Sequence, residues 1–510
     1  MQRLDVSTEC PSCGGPLDFK EGSNAVQCRY CGSNLLVTGR KQVLSYYVEP
    51  KTDEHRAAAS VLTARESRGE GECRIAGMRL YFIPYYRLSG HDLRWERAME
   101  DPGTESITPP AFARDSAYAD AVGTDARHRS LLLPLAGGLL DIFFGGGSSS
   151  GTALPGVPSA GMLKEMESVL RARGDSPGNL FSGELQLAER YLEKNFLACS
   201  LSGMGIYSLG VRTSALALRL FHKETLSAKG RIVAADVSIE AALARGMKTE
   251  LPEGLLYRAV IGRILSLVYF PFWVVEMECA GKRSLSLVDA VTRAVVASGL
   301  PLSLYEALDR TTAEAQHRTA GFRTLVCPNC GGDFPVKPDD VVFFCAACVR
   351  AWQIYGSDLR EVPYRFAAVR VSVKEGEAVP YLPFWVLRTE RDGGPRRFFV
   401  PAFRYRRLKT LSDIATALTR TQPDYSVSEN TDPEIRSGIS YGCYYDQEDA
   451  ALMALFVREG MRAKQRAGTA EEKEEISFSA AELVWFPFLI KGPDLVDPFT
   501  GRALPKNALL

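Results

Sequence analysis

The 510-residue chain has no net charge and no long apolar run. Lysine plus arginine and aspartate plus glutamate each number 61, so no overall field would attract nucleic acid, an anionic membrane or an acidic substrate. No stretch reaches the roughly 18 to 20 apolar residues that cross a bilayer. The best candidates are 131–144, which contains Pro134 and Asp141, and 259–275, which contains Arg263. We expect no transmembrane segment and interpret both as core segments, or the first as an apolar loop.

Catalytic signatures are also missing. The five histidines lie far apart and none belongs to an HExxH pattern, so we interpret each as an ordinary surface or core residue. They are His55, His91, His128, His222 and His317. The glycine-rich run 145–161 lacks the Gly-Lys-Ser/Thr ending of a phosphate-binding loop, and no Gly-x-Ser-x-Gly sequence is present. These absences predict a protein that is not an enzyme.

Cysteine, by contrast, is abundant and patterned. Eight of the twelve cysteines fall in Cys-x-x-Cys pairs. The sequence runs from Met1 into the first pair without the apolar core of a signal peptide, which favours a cytoplasmic location. In that reducing compartment paired cysteines are better explained by metal binding than by disulfides. We expect the other four to be ordinary buried residues; they are Cys73, Cys199, Cys279 and Cys443.

The eight paired cysteines form two matched sets of four. They are Cys10, Cys13, Cys28 and Cys31 in the first set and Cys327, Cys330, Cys345 and Cys348 in the second. In both sets 14 residues separate the second cysteine from the third, and the loops between them align without a gap. Four thiolates form the closed tetrahedral shell of a structural zinc ion and leave no open position for catalysis. We predict two Zn²⁺ per chain; a rubredoxin-like iron site and a redox dithiol are the alternatives.

The knuckle sequences resemble those of known zinc ribbons. Cys10-Pro-Ser-Cys-Gly-Gly15, Cys28-Arg-Tyr-Cys-Gly32 and Cys327-Pro-Asn-Cys-Gly-Gly332 are similar to the ribbons of the transcription factor IIB type, found in many bacterial proteins of uncharacterised function. The resemblance implies two compact ribbons and no particular activity. In the fourth knuckle Val349 stands where glycine is usual. Because glycine adopts positive φ without steric cost, Val349 predicts a distorted or different turn.

A proline-aromatic motif recurs after each ribbon. Its copies are Tyr81-Phe-Ile-Pro-Tyr-Tyr86, Tyr269-Phe-Pro-Phe-Trp273, Tyr381-Leu-Pro-Phe-Trp385 and Trp485-Phe-Pro-Phe-Leu489. The order of ribbon, motif, insert and motif occurs twice, which predicts an internal duplication. Flanking residues predict β-hairpins over 268–288 and 379–400. Because proline donates no hydrogen bond, we expect these prolines at strand starts, edges or bulges, with Trp273, Trp385 and Trp485 buried.

The inserts between the motifs also correspond, and several read as helices. Residues 207–212 resemble 399–404, and 238–243 resemble 446–451. Helical spacing of apolar residues predicts helices over 183–196, 411–421 and 448–464. The run 145–161 reads as a flexible linker and 467–475 as a charged solvated loop.

These patterns predict an α+β fold in which two zinc ribbons are attached to duplicated β-rich domains with helical inserts. We place ribbon one at 1–45, a first half at 46–319 with a flexible insert near 100–180, ribbon two at 320–356 and a second half at 357–510.

The functional prediction follows from these absences and from the charge of the ribbons. The basic, aromatic stretch 396–409 could hold nucleic acid by stacking and phosphate contacts, but acidic and basic residues nearly balance within each ribbon, which makes the ribbons poor phosphate binders. We favour a non-enzymatic zinc-binding scaffold or adaptor that binds other proteins. The alternatives are a nucleic-acid-binding regulator that uses 396–409, and a membrane-surface accessory factor that uses 131–144.

Overall fold

A computed structural model describes residues 3–39, 41–69, 73–97, 184–201, 217–248, 254–309, 317–368, 379–389, 396–428, 442–465 and 478–510. Within these ranges strands predominate and helices are few, consistent with the predicted α+β class. Several predictions lie outside the described residues: the apolar segment 131–144, the linker 145–161, the insert near 100–180, the segment 207–212 and the loop 467–475.

The strands are β1 Asp5–Glu9, β2 Pro16–Lys20, β3 Ala25–Gln27, β4 Asn34–Thr38, β5 Leu44–Val48, β6 Cys73–Arg97, β7 Leu185–Leu197, β8 Ala217–Leu220, β9 Arg231–Ile232, β10 Leu255–Cys279, β11 Lys282–Asp289, β12 Val295–Leu300, β13 Gly321–Thr324, β14 Val342–Cys345, β15 Arg350–Tyr355, β16 Asp358–Val362, β17 Tyr364–Ala368, β18 Tyr381–Arg388, β19 Arg397–Pro401, β20 Ser426–Ser428, β21 Ala480–Pro487, β22 Leu489–Lys491, β23 Asp494–Val496 and β24 Ala503–Pro505. The helices are α1 Glu54–Glu66, α2 Lys223–Lys229, α3 Ile239–Met247, α4 Ser303–Asp309, α5 Leu408–Thr421 and α6 Gln447–Gln465, followed by a 3₁₀ turn at Lys506–Ala508.

Two large sheets share one strand order. The first contains the neighbours β7-β6-β10-β5-β8 within a ten-stranded sheet, and the second has the order β19-β18-β21-β17-β20. In both, the strand after the ribbon runs parallel to the strand that carries the second motif: β5 to β10 and β17 to β21. The two motif strands of each half pair antiparallel, and each proline lies opposite the residue two positions before the other proline.

Both predicted hairpins are present. Strands β10 and β11 pair from Phe272↔Asp289 to Cys279↔Lys282, and β18 and β19 pair from Phe384↔Pro401 to Arg388↔Arg397. The turn of the second hairpin falls outside the described residues.

One of the three predicted helices is wrong. Residues 185–197 form strand β7, which pairs with β6 along its whole length of 13 residues. Backbone N–H and C=O groups of β6 form hydrogen bonds with alternate residues of β7. This tertiary pairing overrides a local helical pattern. The other two helices are confirmed as α5 and α6.

The prolines have a specific role, first seen at Pro84. Ala198 lies opposite Pro84 and donates its N–H to the Pro84 carbonyl at 2.9 Å. In a regular antiparallel pair the Ala198 carbonyl would accept from the opposite N–H, but proline has none. The Ala198 carbonyl instead accepts the two consecutive N–H groups of 236–237, both at 3.1 Å. The hydroxyl of Tyr86, two residues after the proline, donates to the carbonyl of 237 at 2.8 Å.

Pro271 repeats the pattern with different strands. Ala290 lies opposite and donates to the Pro271 carbonyl at 3.1 Å, while its own carbonyl accepts both N–H groups of 51–52 at 2.9 Å. The indole N–H of Trp273, again two residues after the proline, donates to the Thr52 carbonyl at 2.8 Å. We call this arrangement of proline, opposite alanine, aromatic donor and held two-residue segment the proline clamp.

Pro383 forms the third proline clamp. Ala402 donates to the Pro383 carbonyl at 2.8 Å, and its carbonyl accepts from Tyr444 N–H at 2.6 Å and Tyr445 N–H at 3.0 Å. The indole N–H of Trp385 donates to the Tyr445 carbonyl at 2.9 Å.

Each proline clamp fixes the start of a helix. The residue after the held segment is Asp53, Ser238 or Asp446, and its side chain accepts N–H groups in the first turn of α1, α3 or α6 respectively. Such caps satisfy backbone donors that the helix itself leaves without partners. The proline-aromatic motif, which the sequence predicted only as part of strands, therefore also attaches helices to the sheets.

The position of the prolines matches the prediction in part. Pro383 lies near the start of β18, as expected, whereas Pro487 is the last residue of β21, a position that the prediction did not include. Pro84 and Pro271 lie inside strands of 25 residues, at points where pairing with one neighbour stops. Trp385 and Trp485 are buried as predicted, and Trp273 is half-buried.

The halves pack against each other through a common core. The largest apolar cluster joins Leu93, Trp95 and Ile261 of the first half to β18, β21, α5 and α6 of the second. Trp95 stacks on Phe456 of α6 with ring centroids 5.3 Å apart, and its indole N–H donates to the Phe456 carbonyl at 2.9 Å.

Candidate metal centres

Ribbon one brings its four cysteines together in two hairpin knuckles. Gly14 N–H donates to the Cys10 carbonyl at 2.8 Å and Gly32 N–H donates to the Cys28 carbonyl at 2.9 Å. Both glycines have φ near +73°, at +72° and +74°. This left-handed residue turns the chain so that both thiols of each pair face the same centre.

Ribbon two has the same knuckles, including the one without glycine. Val349 N–H donates to the Cys345 carbonyl at 2.8 Å, and Val349 adopts a φ of +58°. The prediction of a distorted or different turn is therefore wrong: the turn is retained by a β-branched residue in a left-handed conformation, which costs on the order of 1–2 kcal/mol. The Val349 side chain packs against the core of the second half, and the Tyr364 hydroxyl donates to its carbonyl at 3.1 Å, so tertiary contacts oppose this cost.

The thiol positions fit a tetrahedral metal. In ribbon one the Sγ atoms of Cys10 and Cys31, and those of Cys13 and Cys28, are each 3.8 Å apart. In ribbon two the corresponding distances are 3.5 and 3.4 Å. Zinc–sulfur bonds of about 2.3 Å in a tetrahedron place the sulfurs about 3.8 Å apart. All ligand atoms of each set lie within 4.8 Å of one another, so both sets could hold a metal ion.

The surroundings lower the pKa of some of these thiols toward the thiolate form that a metal requires and raise the pKa of others. The neighbouring Ser33 side chain and backbone lower the pKa of Cys31 to about 6. Burial opposes ionisation of Cys327, but the backbone N–H groups of Cys330 and Asn329 lower the pKa of this thiol to about 7. Within the same ribbon the pKa of Cys348 is raised to about 12, first by burial and then by hydrogen bonding to the other thiols. Four adjacent thiols cannot all ionise without a cation, so a divalent metal bound at either set would draw its thiols into the thiolate form.

The two ribbons form one unit. Strand β13, which leads into ribbon two, pairs antiparallel with β4 of ribbon one from Gly321↔Thr38 to Thr324↔Leu35. Beneath this joint strand, side chains of both ribbons share an apolar cluster that includes Leu36 from ribbon one and Phe343 from ribbon two. Asn24 N–H also donates to the Pro338 carbonyl at 2.6 Å. The two four-cysteine sets are therefore connected by backbone pairing and by a common core.

A buried ion pair attaches ribbon one to the first half. Glu21, in the loop between the knuckles, accepts hydrogen bonds from Arg87 of β6 and Ser266 of β10. The side chains of Glu21 and Arg87 are 1 % and 2 % exposed. Arg87 also donates to Glu193 of β7 at 3.1 Å. Since breaking a buried pair leaves an uncompensated charge, this contact fixes the position of the loop.

Ribbon two is attached to the second half in a similar way. Asp339, in the loop between its knuckles, accepts hydrogen bonds from Arg3 and from Arg404. Arg3 also donates to the Tyr444 hydroxyl at 2.7 Å. The aspartate thereby joins the leading segment of ribbon one, the loop of ribbon two and the second half at one point.

Two of the six basic side chains of the stretch 396–409 are engaged in internal contacts, whereas those of Arg396, Arg406, Arg407 and Lys409 are exposed. Arg397 donates to the Pro423 carbonyl at 2.9 Å, and Arg404 pairs with Asp339. The N-terminal amides of α5 at Leu408 and Lys409 donate to the carboxylate of Glu189 at 3.1 and 3.0 Å. The helix terminus that would suit a phosphate is therefore occupied by a carboxylate of the protein itself.

The four cysteines outside the Cys-x-x-Cys pairs are of two kinds. Cys199 and Cys443 are buried, as predicted. Cys73 and Cys279 are not ordinary buried residues, since they are half-buried and form a disulfide between β6 and β10. The two cysteines are 206 residues apart, so a reading of local sequence had no signal that they would meet.

Among the described residues, the two four-cysteine sets are the groups of metal-binding side chains close enough to share an ion, and no helix is long and apolar enough to cross a membrane. Comparison of the chain with family models, with curated proteins and with solved structures gives no match.

Proposed function

We propose that the protein is a non-enzymatic scaffold or adaptor, held together by two structural Zn²⁺ ions, that binds other proteins. The main support is the position of the candidate centres: two closed four-thiolate sets in one joint ribbon unit, with one inter-knuckle loop on each half of the chain. A metal in such a site contributes folding free energy and has no open position for a substrate. The role of each metal ion is to fix the positions of the two halves relative to one another.

A duplicated origin is part of this proposal. The shared order of five strands, the shared register of the motif prolines and the proline clamps at Pro84 and Pro383 support it. Asp289 and Asp497 add a further pair, because each is buried and caps a tight turn with its carboxylate after a Leu-Val-Asp sequence. Under this proposal the halves are paired copies of one β-rich unit, each with its own ribbon.

The ribbons also offer surfaces to a partner. Tyr30 is 70 % exposed beside the Cys31 thiol, and Tyr355 is 60 % exposed with the Arg360 guanidinium 3.5 Å from its ring centroid. Exposed tyrosine and arginine are enriched where proteins bind one another. Nucleic-acid binding through 396–409 is less well supported, because Arg397 and Arg404 are held internally.

The test begins with the metal. Aerobically purified protein should contain two zinc ions per chain and no iron absorption. Cys13→Ser and Cys330→Ser form a matched pair, since both thiols are exposed and neither substitution leaves a buried cavity. Each should lower zinc content to one ion per chain, and each should also speed release of the remaining ion to a chelator, because the ribbons share strand pairing and a core.

The outcome separates two ideas. Independent ribbons would leave the second site unchanged, whereas coupled release supports the joint unit. Folded protein without metal would refute the zinc-dependent scaffold. The adaptor role is tested by co-purification. Proteins that co-purify with the wild type but not with Tyr30→Ser or Tyr355→Ser variants of normal zinc content would support it. Submicromolar nucleic-acid binding that is lost in Arg396→Glu would replace it.

A further inference from the structure

The Cys73–Cys279 pair lies at one end of the two longest strands, β6 and β10. Cys73 is the first residue of β6 and Cys279 is the last residue of β10, and they lie directly opposite one another with Cα atoms 4.4 Å apart. This separation is typical of a non-hydrogen-bonded antiparallel pair, in which side chains approach most closely. The backbone alone therefore holds the two sulfur atoms within bonding reach, whether or not they are bonded.

A buried cation lies on the two sulfurs. Arg65, in the last turn of α1, is 8 % exposed and donates from Nη1 to Cys73 Sγ at 3.1 Å and to Cys279 Sγ. Its Nη2 lies 3.4 Å from Ser284 Oγ. A guanidinium in contact with a thiol stabilises the thiolate, which is the nucleophilic form of cysteine. The arginine thus favours reactivity whenever the pair is reduced.

The surroundings distinguish this pair from the other cysteines. The two cysteines are half-buried beside the apolar cluster of Ala57, Val61 and Met277, where α1 packs on β10. On the exposed side Lys282 lies opposite Cys279 in the strand register, and Arg74 and Arg283 both pair with Glu278. A small reagent can therefore reach the pair, whereas the thiol of Cys199 is buried.

We propose that Cys73 and Cys279 form a redox-active dithiol, activated by Arg65, that is oxidised by low-molecular-weight disulfides such as oxidised glutathione. One thiolate attacks a sulfur of the small disulfide, forms a mixed disulfide and releases one small thiol. The second cysteine, as its thiolate, attacks the protein sulfur of the mixed disulfide and releases the second small thiol. The protein loses two electrons and two protons, which convert the small disulfide into two thiols.

The bond would act on the end of the sheet that carries α1. When it forms, it ties together two strands that are separated by 206 residues of chain, and it fixes the surface on which Arg65 and the rest of α1 pack. When it is reduced, this end keeps its strand pairing but loses the covalent link. The zinc centres lie elsewhere in the fold, so the two kinds of cysteine should respond separately.

The experiment uses full-length, zinc-loaded protein in glutathione buffers of graded reduced-to-oxidised ratio. Samples are alkylated, the state of each cysteine is determined by peptide mass spectrometry, and zinc is measured in the same samples. We expect the pair to pass from two alkylated thiols to one Cys73–Cys279 disulfide while zinc content stays constant. A pair that stays reduced in the most oxidising buffer, or that oxidises only as zinc is lost, would overturn the proposal.

Arg65 is tested by the rate of alkylation of the reduced pair at pH 7. Loss of an adjacent opposite charge raises a thiol pKa by about one unit or more, so Arg65→Gln should slow alkylation about tenfold while Arg65→Lys retains most of the rate. Buried Cys199 is the slow internal reference. In Cys73→Ser, Cys279 should still react faster than Cys199, which keeps the test valid if Arg65→Gln loosens α1. Equal rates for Arg65→Gln and the wild type would refute activation by the arginine.

Discussion

Pro383→Ala tests the proline clamp directly. The substitution restores an N–H opposite Ala402, where a regular antiparallel pair would place a hydrogen bond. The Ala402 carbonyl, however, already accepts from Tyr444 and Tyr445. A carbonyl oxygen has two lone pairs, so three donors compete for two positions. Whichever donor is displaced is left in the largest buried core of the molecule.

The magnitude follows from two effects of the same sign. A buried N–H without an acceptor costs about 1–3 kcal/mol. Replacing proline also restores conformational freedom to the unfolded chain, which costs a further amount of about 0.4–1 kcal/mol. Pro383→Ala should therefore lower the free energy of unfolding by about 1.4–4 kcal/mol. Pro84→Ala should show a similar loss, because the clamp at Ala198 has the same bonds.

The assay is urea unfolding of the zinc-loaded protein followed by tryptophan fluorescence. Pro301→Ala is the control: this proline is exposed and precedes a helix, so only the unfolded-state effect of at most about 1 kcal/mol should appear. Hydrogen exchange at Tyr444 and Tyr445 should accelerate in Pro383→Ala beyond the global change. If Pro383→Ala is as stable as the wild type, or if Pro301→Ala costs as much, the clamp does not contribute as described.

Two further predictions test the junction of the halves and the ribbon-two loop. The Cβ of Gly460→Ala would overlap the indole of Trp95, so this change should destabilise the protein by about 1–3 kcal/mol despite the better helix propensity of alanine; greater stability in urea unfolding would contradict the close packing. Burial raises the pKa of Asp340 to about 7, above its unfolded value, so its contribution to stability is present at low pH and is lost as pH rises through about 7. Asp340→Asn should flatten this part of the pH–stability curve and gain at most about 4 kcal/mol at pH 8; an unchanged slope between pH 4 and 8 would refute it.

The two four-cysteine clusters were predictable because their geometry is set by local sequence. Each knuckle is fixed by residues two or three positions apart, so the spacing of Cys10 to Cys31 already specifies two facing thiol pairs. The exception, Val349, shows the limit of this reasoning. A glycine rule describes the cost of positive φ, but it does not include the core of the second half, which holds the valine side chain and its carbonyl in place.

Strand pairing between distant segments was harder to predict. The helical reading of 183–196 fails because its outcome depends on β6, which is distant in sequence. The prediction that Cys73 and Cys279 are ordinary buried residues fails for the same reason. The proline-aromatic motifs lie between these extremes. Their recurrence and hairpins were visible in the sequence, but the freed alanine carbonyl, the aromatic donor and the helix cap come from three separate segments and become evident only when these meet.

The joint ribbon unit has a consequence for how the fold is held. Strand β13 belongs by sequence to ribbon two but completes the sheet of ribbon one, so neither ribbon has a full set of strand partners without the other. Glu21 and Asp339 then extend the unit into the two halves through arginine pairs that are wholly or partly buried. Loss of one metal ion would therefore weaken a knuckle, the shared strand and a loop contact in succession. Zinc binding at either site should depend on the integrity of both halves, and this dependence is what separates a metal-braced scaffold from two independent ribbon appendages.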